Sequence, residues 1–164
     1  MLDSSRWSES GGRWVVAQFA LMAAILLAAF LPPGWPEGVS ALLSALGAVL
    51  ALLAGLVAVW SWRTLSEFNA ASAYPRPREG GRLVEHGPSE FARHPIYAAG
   101  LLFFSGFALA TSPTAFVPLI GLALLWRAKA EMAERFLARQ YPEYRLYRER
   151  VPGAFVPRPS GRAD

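Results

Sequence analysis

The sequence predicts an all-α, polytopic integral membrane protein with about four transmembrane helices. Three observations predict it. Apolar residues make up 54% of the chain and mean hydropathy is +0.28, too greasy for an ordinary soluble domain of 164 residues. Long uncharged runs recur along the chain, and no stretch alternates as a β-barrel strand would. Basic residues gather on alternate sides of those runs, as they do around membrane spans.

The first uncharged run, Trp14 to Leu31, has 18 residues, and the second, Val39 to Trp60, has 22. A hydrocarbon core of about 30 Å takes roughly 20 helical residues, so each can cross it. Arg6 and Arg13 ahead of the first run also suit a secretory leader. The run is longer than a usual leader core, however, and further spans follow. Residues 1–13 are polar and expected to be loose. "LPPGWPEG", Leu31 to Gly38, reads as a short turn. The second helix is expected to run on past the membrane from Ser61 to Asn69. "AYPRPREGGRLVEHGP" then carries enough Pro and Gly to be a loop. Loops at membrane depth are buried in protein or line a cavity, so this one is placed to cap a pocket.

Two shorter runs follow, Ile96 to Ala110 and Ala115 to Trp126, with no charge between Ile96 and Trp126. Only "TSPT" separates them, which predicts a helical hairpin of spans three and four. Ser112 is its N-cap and Pro113 its first helical position. Pro118 is expected to kink the fourth helix early. That helix continues beyond the membrane as "WRAKAEMAERFLARQYPEY", an amphipathic cytoplasmic extension. Trp126, Ala130, Ala133 and Leu137 form its apolar stripe, with Arg127, Glu131 and Glu134 beside them. Pro142 is expected to end or kink it. "YRLYRERVPGAFVPRP" is expected to lie along the interface as a basic, aromatic tail.

Charge orients the whole. Arg and Lys number two before the first span, five between spans two and three, and nine after span four; the other two loops have none. The positive-inside bias then puts both termini and the 61–94 loop in the cytoplasm. The net charge of +4 is thereby a matter of topology and of contact with membrane lipids, and calls for no nucleic acid. No Cys is present, which excludes disulfides and thiolate chemistry, and two His without ligand spacing predict no metal site. Residues 1–70 are expected to hold helices one and two, and residues 71–164 a core of loop, hairpin and tail, together one domain. High Ala and Arg with a single Lys suit a bacterial inner membrane.

Two clusters carry possible chemistry. In "SEFARHPIYAAG", Arg93, His94 and Tyr97 stand at the mouth of an apolar helix. An interfacial anchor explains them as well as a site does. Pro95 lacks an N–H, suits the first turn, and pushes His94 out of helical geometry, so His94 sits at a positive helix mouth that suits a carboxylate. Arg127, Glu131 and Glu134 read equally as a solvated face with an i,i+4 pair. The hairpin would nevertheless bring His94 and Glu131 to one rim, where acids and Arg could hold a zwitterion. No Gly-rich phosphate fingerprint and no Ser elbow is present.

"GGRLVEHGPSEFARHPIYAAG" followed by "AERFLARQYPEYRLYRERVP" resembles the isoprenylcysteine carboxyl methyltransferase family and its phospholipid methyltransferase relatives, over about residues 74–157. The resemblance implies a helical membrane methyltransferase that binds S-adenosyl-L-methionine without a Rossmann fold, in a pocket facing the cytoplasm. It implies that Leu83, Val84, Ser89, His94, Pro95, Ile96, Tyr97 and Glu134 are cofactor neighbours. Ser89 stands where the family commonly has Tyr. The family's acid pair falls on Ala133 and Glu134, with Glu131 one turn earlier in place of the missing first acid. Arg127, four residues before Glu131, is the implied contact for a substrate carboxylate, with Lys129 second. Arg127 and Glu131 are thereby the implied catalytic residues. The implied reaction is carboxyl O-methylation of a lipophilic or prenylated acceptor. Amine N-methylation, thiol S-methylation, a sterol-reductase-like activity and a non-catalytic membrane protein stand beside it.

Overall fold

The computed structural model describes residues 11–74 and 80–158. The described residues form five α-helices and no strand. They are α1 (Gly12–Ala28), α2 (Glu37–Glu67), α3 (Pro95–Thr111), α4 (Phe116–Gln140) and α5 (Tyr144–Arg150). Short 3₁₀ turns at Gly87–Glu90 and Pro113–Ala115 precede α3 and α4. The expectations for residues 1–10 and for Pro75–Glu79 of the loop lie outside the described residues.

Among the described residues, α2 alone has the length and composition to cross a membrane by itself. It runs for 31 residues, and only 11% of its most apolar window, of mean hydropathy 2.6, is buried. α1 and α3 are shorter apolar helices. The helix boundaries follow local chemistry. Ser112 Oγ accepts the Thr114 amide (3.2 Å) and donates to Pro33 O (3.0 Å), pinning the hairpin turn to the α1–α2 loop. Pro118 falls in the first turn of α4, where an amide has no intrahelical acceptor to lose. α4 stops at Gln140, two residues before Pro142.

α2 packs along α3, and α1 along α4. The α2–α3 crossing is close because Gly47 and Gly106 face one another: a Cβ built on Gly47 would lie 2.3 Å from Gly106 O. Ser44 Oγ donates to Ala110 O (3.1 Å) at the same crossing. The second contact is filled by Ile25, Phe104, Leu119, Leu122 and Trp126, buried where α1, α3 and α4 meet. Gly100 makes room there, since its missing Cβ would sit 2.5 Å from the Trp126 indole.

The C-terminal segment departs from the expected interfacial tail. It folds back as α5, with Tyr144 and Tyr147 buried against Leu83, Leu137 and Val151. Tyr147 Oη donates to Ser89 O (2.7 Å), and Tyr141 Oη to Gly81 O (2.6 Å), so two phenols fasten the 80s loop. Large side chains with one polar tip are suited to this work inside a fold as much as at a lipid surface, and their spacing alone does not say which.

Candidate functional site

The site is built where α3 begins. His94 is the N-cap of α3 and Pro95 its first residue. Both Arg93 and His94 present their amides to the returning C-terminal strap: Arg93 N donates to Gly153 O (3.0 Å) and His94 N to Ala154 O (2.9 Å). The strap turns tightly at Gly153, where an added Cβ would lie 2.0 Å from Val156 O.

One carboxylate gathers the side chains. Glu134 of α4 accepts from Arg93 Nε (2.9 Å) and from His94 Nε2 (3.1 Å) at the same oxygen, Oε1. Arg93 Nη1 donates to Val151 O (2.7 Å). Arg148 of α5 stands 3.8 Å from Glu134 Oε2. Glu134 is buried, which by itself would push its carboxyl up. The hydrogen bonds from His94 and Arg93, together with their charge, outweigh burial and hold it below the usual carboxylate range.

Beside this cluster lies a cleft of about 150 Å³, open to solvent. Leu83, Val84 and Ser89 line it from the 80s loop, and His94, Pro95, Ile96 and Tyr97 from the start of α3. Glu134 does not line it. Its Oε1 is turned to Arg93 and His94 and its Oε2 toward Arg148, so it positions the His94 imidazole from behind and is not the cofactor neighbour expected of it.

The aromatic rings continue inward. His94 stacks on Tyr97 with centroids 5.7 Å apart, and Tyr97 on Trp126 at 5.3 Å. Trp126 Nε1 donates to Gln18 Oε1 (3.2 Å), and Lys129 Nζ donates to the same oxygen (2.5 Å). Lys129 is 0% exposed, and its ammonium stands 5.5 Å from the Tyr97 ring centre.

Arg127 and Glu131 are not brought to the cleft, which corrects their expected place on its rim. They form an i,i+4 pair (3.4 Å) with side chains 74% and 58% exposed, and neither lines the cleft. The reason is the face of α4 they occupy. On this stretch the covered face carries Trp126, Lys129 and Ala130, and Arg127 and Glu131 stand outside it.

Arg93, singled out with His94 at the helix mouth, is the main cation of the site. Other residues were not foreseen from the sequence: Gly153 and Ala154 anchor its backbone. Tyr144 lines the cleft, 1% exposed, with a hydroxyl that has no hydrogen-bond partner. The repeated Tyr spacing ahead of "VPG" was a usable signal, because aromatic residues at i and i+3 share one helix face.

Known proteins are similar in both halves of this arrangement. The family described as phospholipid methyltransferase matches residues 42–144, from α2 through the start of α5. The cobalt-zinc-cadmium resistance protein CzcN of Cupriavidus metallidurans is 32% identical over 160 residues, covering 96% of this chain and 68% of that protein. The nickel-cobalt-cadmium resistance protein NccN of Alcaligenes xylosoxydans xylosoxydans is 31% identical over 87 residues, 52% of this chain and 40% of that protein. Those names describe metal resistance, but the described residues hold no group of three or more His, Cys, Asp or Glu able to bind an ion. By the extent of these matches the chain belongs to the phospholipid methyltransferase family, a family of membrane methyltransferases that use S-adenosylmethionine.

Proposed function

We propose that this protein is a four-span membrane enzyme that methylates the carboxylate of a lipophilic acceptor, of the isoprenylcysteine kind, with S-adenosylmethionine as donor. The observation that carries this reading is the meeting of two cavities at Tyr97. On one side is the cleft described above. On the other is an apolar groove of about 870 Å³, walled by residues such as Met22, Ala58, Trp62 and Phe103. Ser72, Tyr74, Ile96 and Tyr97 line both. An amphiphile with its tail in the groove would bring its head to the cleft. Residues 1–70 and 71–164 act as one unit in this reading, since each contributes walls to the groove.

The outer surface supports a membrane setting. Phe19 and Leu27 of α1, Leu52 and Leu56 of α2, and Val117, Ile120 and Leu124 of α4 are all exposed. Such a belt is an aggregation hazard in water and an ordinary surface in lipid. The charge asymmetry supports cytoplasmic termini, and the composition a bacterial inner membrane.

The cleft fits the cofactor in two respects: Arg82 and Arg93 on its wall suit the cofactor's carboxylate, and the Tyr144 hydroxyl there is unpartnered. Leu83, Val84, Ser89 and the His94–Tyr97 turn would hold it. The bound cofactor supplies a methyl group already activated on a sulfonium. What remains for the chain is to align the acceptor within about 3–3.5 Å and keep water out. An ionised carboxylate needs no general base. Lys129 supports that acceptor over an amine: it is a buried cation beside the junction that forms no ion pair among the described residues. The role implied for Arg127 passes to it on this reading.

Calorimetry in detergent tests the reading. S-Adenosylhomocysteine is expected to bind with a roughly micromolar Kd. His94→Ala is expected to weaken that binding by about tenfold, the loss of one well-placed polar contact. Glu143→Ala, outside the cleft, is expected to leave it unchanged. Well-folded protein that gives no heat would sink the proposal. A second expectation concerns the groove. Ala58→Trp fills it from α2 and is expected to abolish methylation of a long-chain acceptor while cofactor binding stays as in the parent protein. Equal loss of both would show that the substitution had damaged the fold instead. The family description favours one other reading, methylation of a lipid amine. The product separates them, because an ester is cleaved by mild base and an N-methyl group is not.

A further inference from the structure

α5 carries two buried phenols that the fold uses differently. Tyr147 Oη donates to Ser89 O, so its hydroxyl is satisfied within the fold. Tyr144, three residues earlier, is 1% exposed and its hydroxyl has no partner. Among the described residues it is the one buried side-chain polar atom in that condition. A buried hydroxyl without a partner costs stability, and a phenylalanine would remove that cost without changing the shape. Tyr144 also lines the cleft, whereas the carboxylate nearest to that corner, Glu134, is occupied by Arg93 and His94. Burial pushes the Tyr144 phenol well above its ordinary range, so it stays a neutral donor at any working pH.

The charges around the hydroxyl say what kind of acceptor suits it. Arg82 and Arg93 line the cleft, and Arg148, four residues after Tyr144 on α5, reaches toward Glu134 from outside it. Three guanidinium groups against one carboxylate leave an excess of positive charge. Arg148 is held only loosely, at 3.8 Å, and keeps free donors. A sulfonium is disfavoured at this end, and an anion is favoured. The other end of the cleft, where it meets the groove at Ile96 and Tyr97, lies away from these guanidinium groups.

We propose that Tyr144 donates its hydroxyl hydrogen to the α-carboxylate of the cofactor's amino-acid moiety, with Arg148 as the neighbouring cation, so that the sulfonium lies toward Tyr97 and the acceptor groove. This inference rests on the cofactor reading above and adds the direction in which the cofactor lies. It assigns a binding role to two residues of a helix that the sequence alone presents as a surface tail.

The test compares two ligands on the full chain in detergent, by calorimetry. S-Adenosylhomocysteine has the amino-acid carboxylate; 5′-methylthioadenosine keeps the nucleoside and lacks it. Tyr144→Phe is expected to weaken S-adenosylhomocysteine by roughly tenfold and to change methylthioadenosine by less than about twofold. Ligand-free Tyr144→Phe is expected to melt at the same temperature as the parent protein or above it, which a purely structural tyrosine would not do. Arg148→Met is expected to give the same ligand pattern with a smaller loss, and covers the case in which the phenylalanine variant does not fold. Equal weakening of both ligands by either variant, or no weakening of S-adenosylhomocysteine, overturns the proposal. Failure of the parent protein to bind either nucleoside overturns the cofactor reading itself, and this inference with it.

Discussion

Glu134→Gln is expected to cause the largest single loss in this protein. The substitution keeps the size of the side chain and removes its charge. Arg93, whose guanidinium takes two of its contacts from that carboxylate, is then left as a buried cation without a counter-ion. Breaking one partner of a buried pair typically costs about 3–5 kcal/mol. The unfolding midpoint in detergent should drop by on the order of 10 °C for a chain of this size. Cofactor affinity should fall with it, because His94 loses the acceptor that orients its ring. A variant that melts with the parent protein would mean that the cluster is ornamental.

The same residue predicts an acid limb. The Glu134 carboxyl is held below its ordinary range in the folded protein. Its contribution is therefore fully present above the unfolded carboxylate value, and is lost as pH falls from there through the depressed folded value. The parent protein should lose stability over that window, and Glu134→Gln should lack that part of the slope. Parallel curves would show that other carboxylates govern acid unfolding.

Gly47→Ala is the second large expectation. One added methyl would lie 2.3 Å from Gly106 O and 2.7 Å from Ala110 N, both backbone atoms that cannot turn aside. α2 and α3 must part to admit it, which loosens the Ser44–Ala110 bond and the wall of the groove. Overpacking of this kind costs about 1–3 kcal/mol. Gly55→Ala, on the same helix, is the control: its Cβ would meet nothing within 4 Å. Alanine in place of an open helical glycine should hold stability or raise it by roughly 0.5–1 kcal/mol. If both variants behave alike, the close crossing does not contribute to stability.

The helices were legible because their signals are local. Uncharged runs, the Ser112–Pro113 start and the Pro142 stop each act within a few residues, and all three correspond to helix limits in the structure. The 80s loop and the His94–Tyr97 turn were legible as a group from resemblance and line one cleft. Arg127 and Glu131 show where such reading ends. Their i,i+4 spacing is the same whether a helix face is covered or bare, so the pattern could not tell a site from an exposed pair. Arg93 was visible at the helix mouth, but its partner Glu134, 41 residues on, was not, since no local pattern pairs them.

By itself, the sequence determined an all-helical chain, the order of its apolar segments, the excess of basic residues on one set of loops, and the two polar clusters that any chemistry here must use. Each of these depends on composition or on spacing within a turn or two. Only the tertiary structure decided that Glu134 closes on Arg93 and His94 across 40 or more residues. It alone decided that the C-terminal strap feeds carbonyls to those two amides, that Tyr144 is left with an unused hydroxyl, and that cleft and groove meet at Tyr97. Those contacts join segments far apart in the chain. Their geometry is set by how closely helices can approach, at Gly47 and Gly106 above all, and no local propensity encodes that distance.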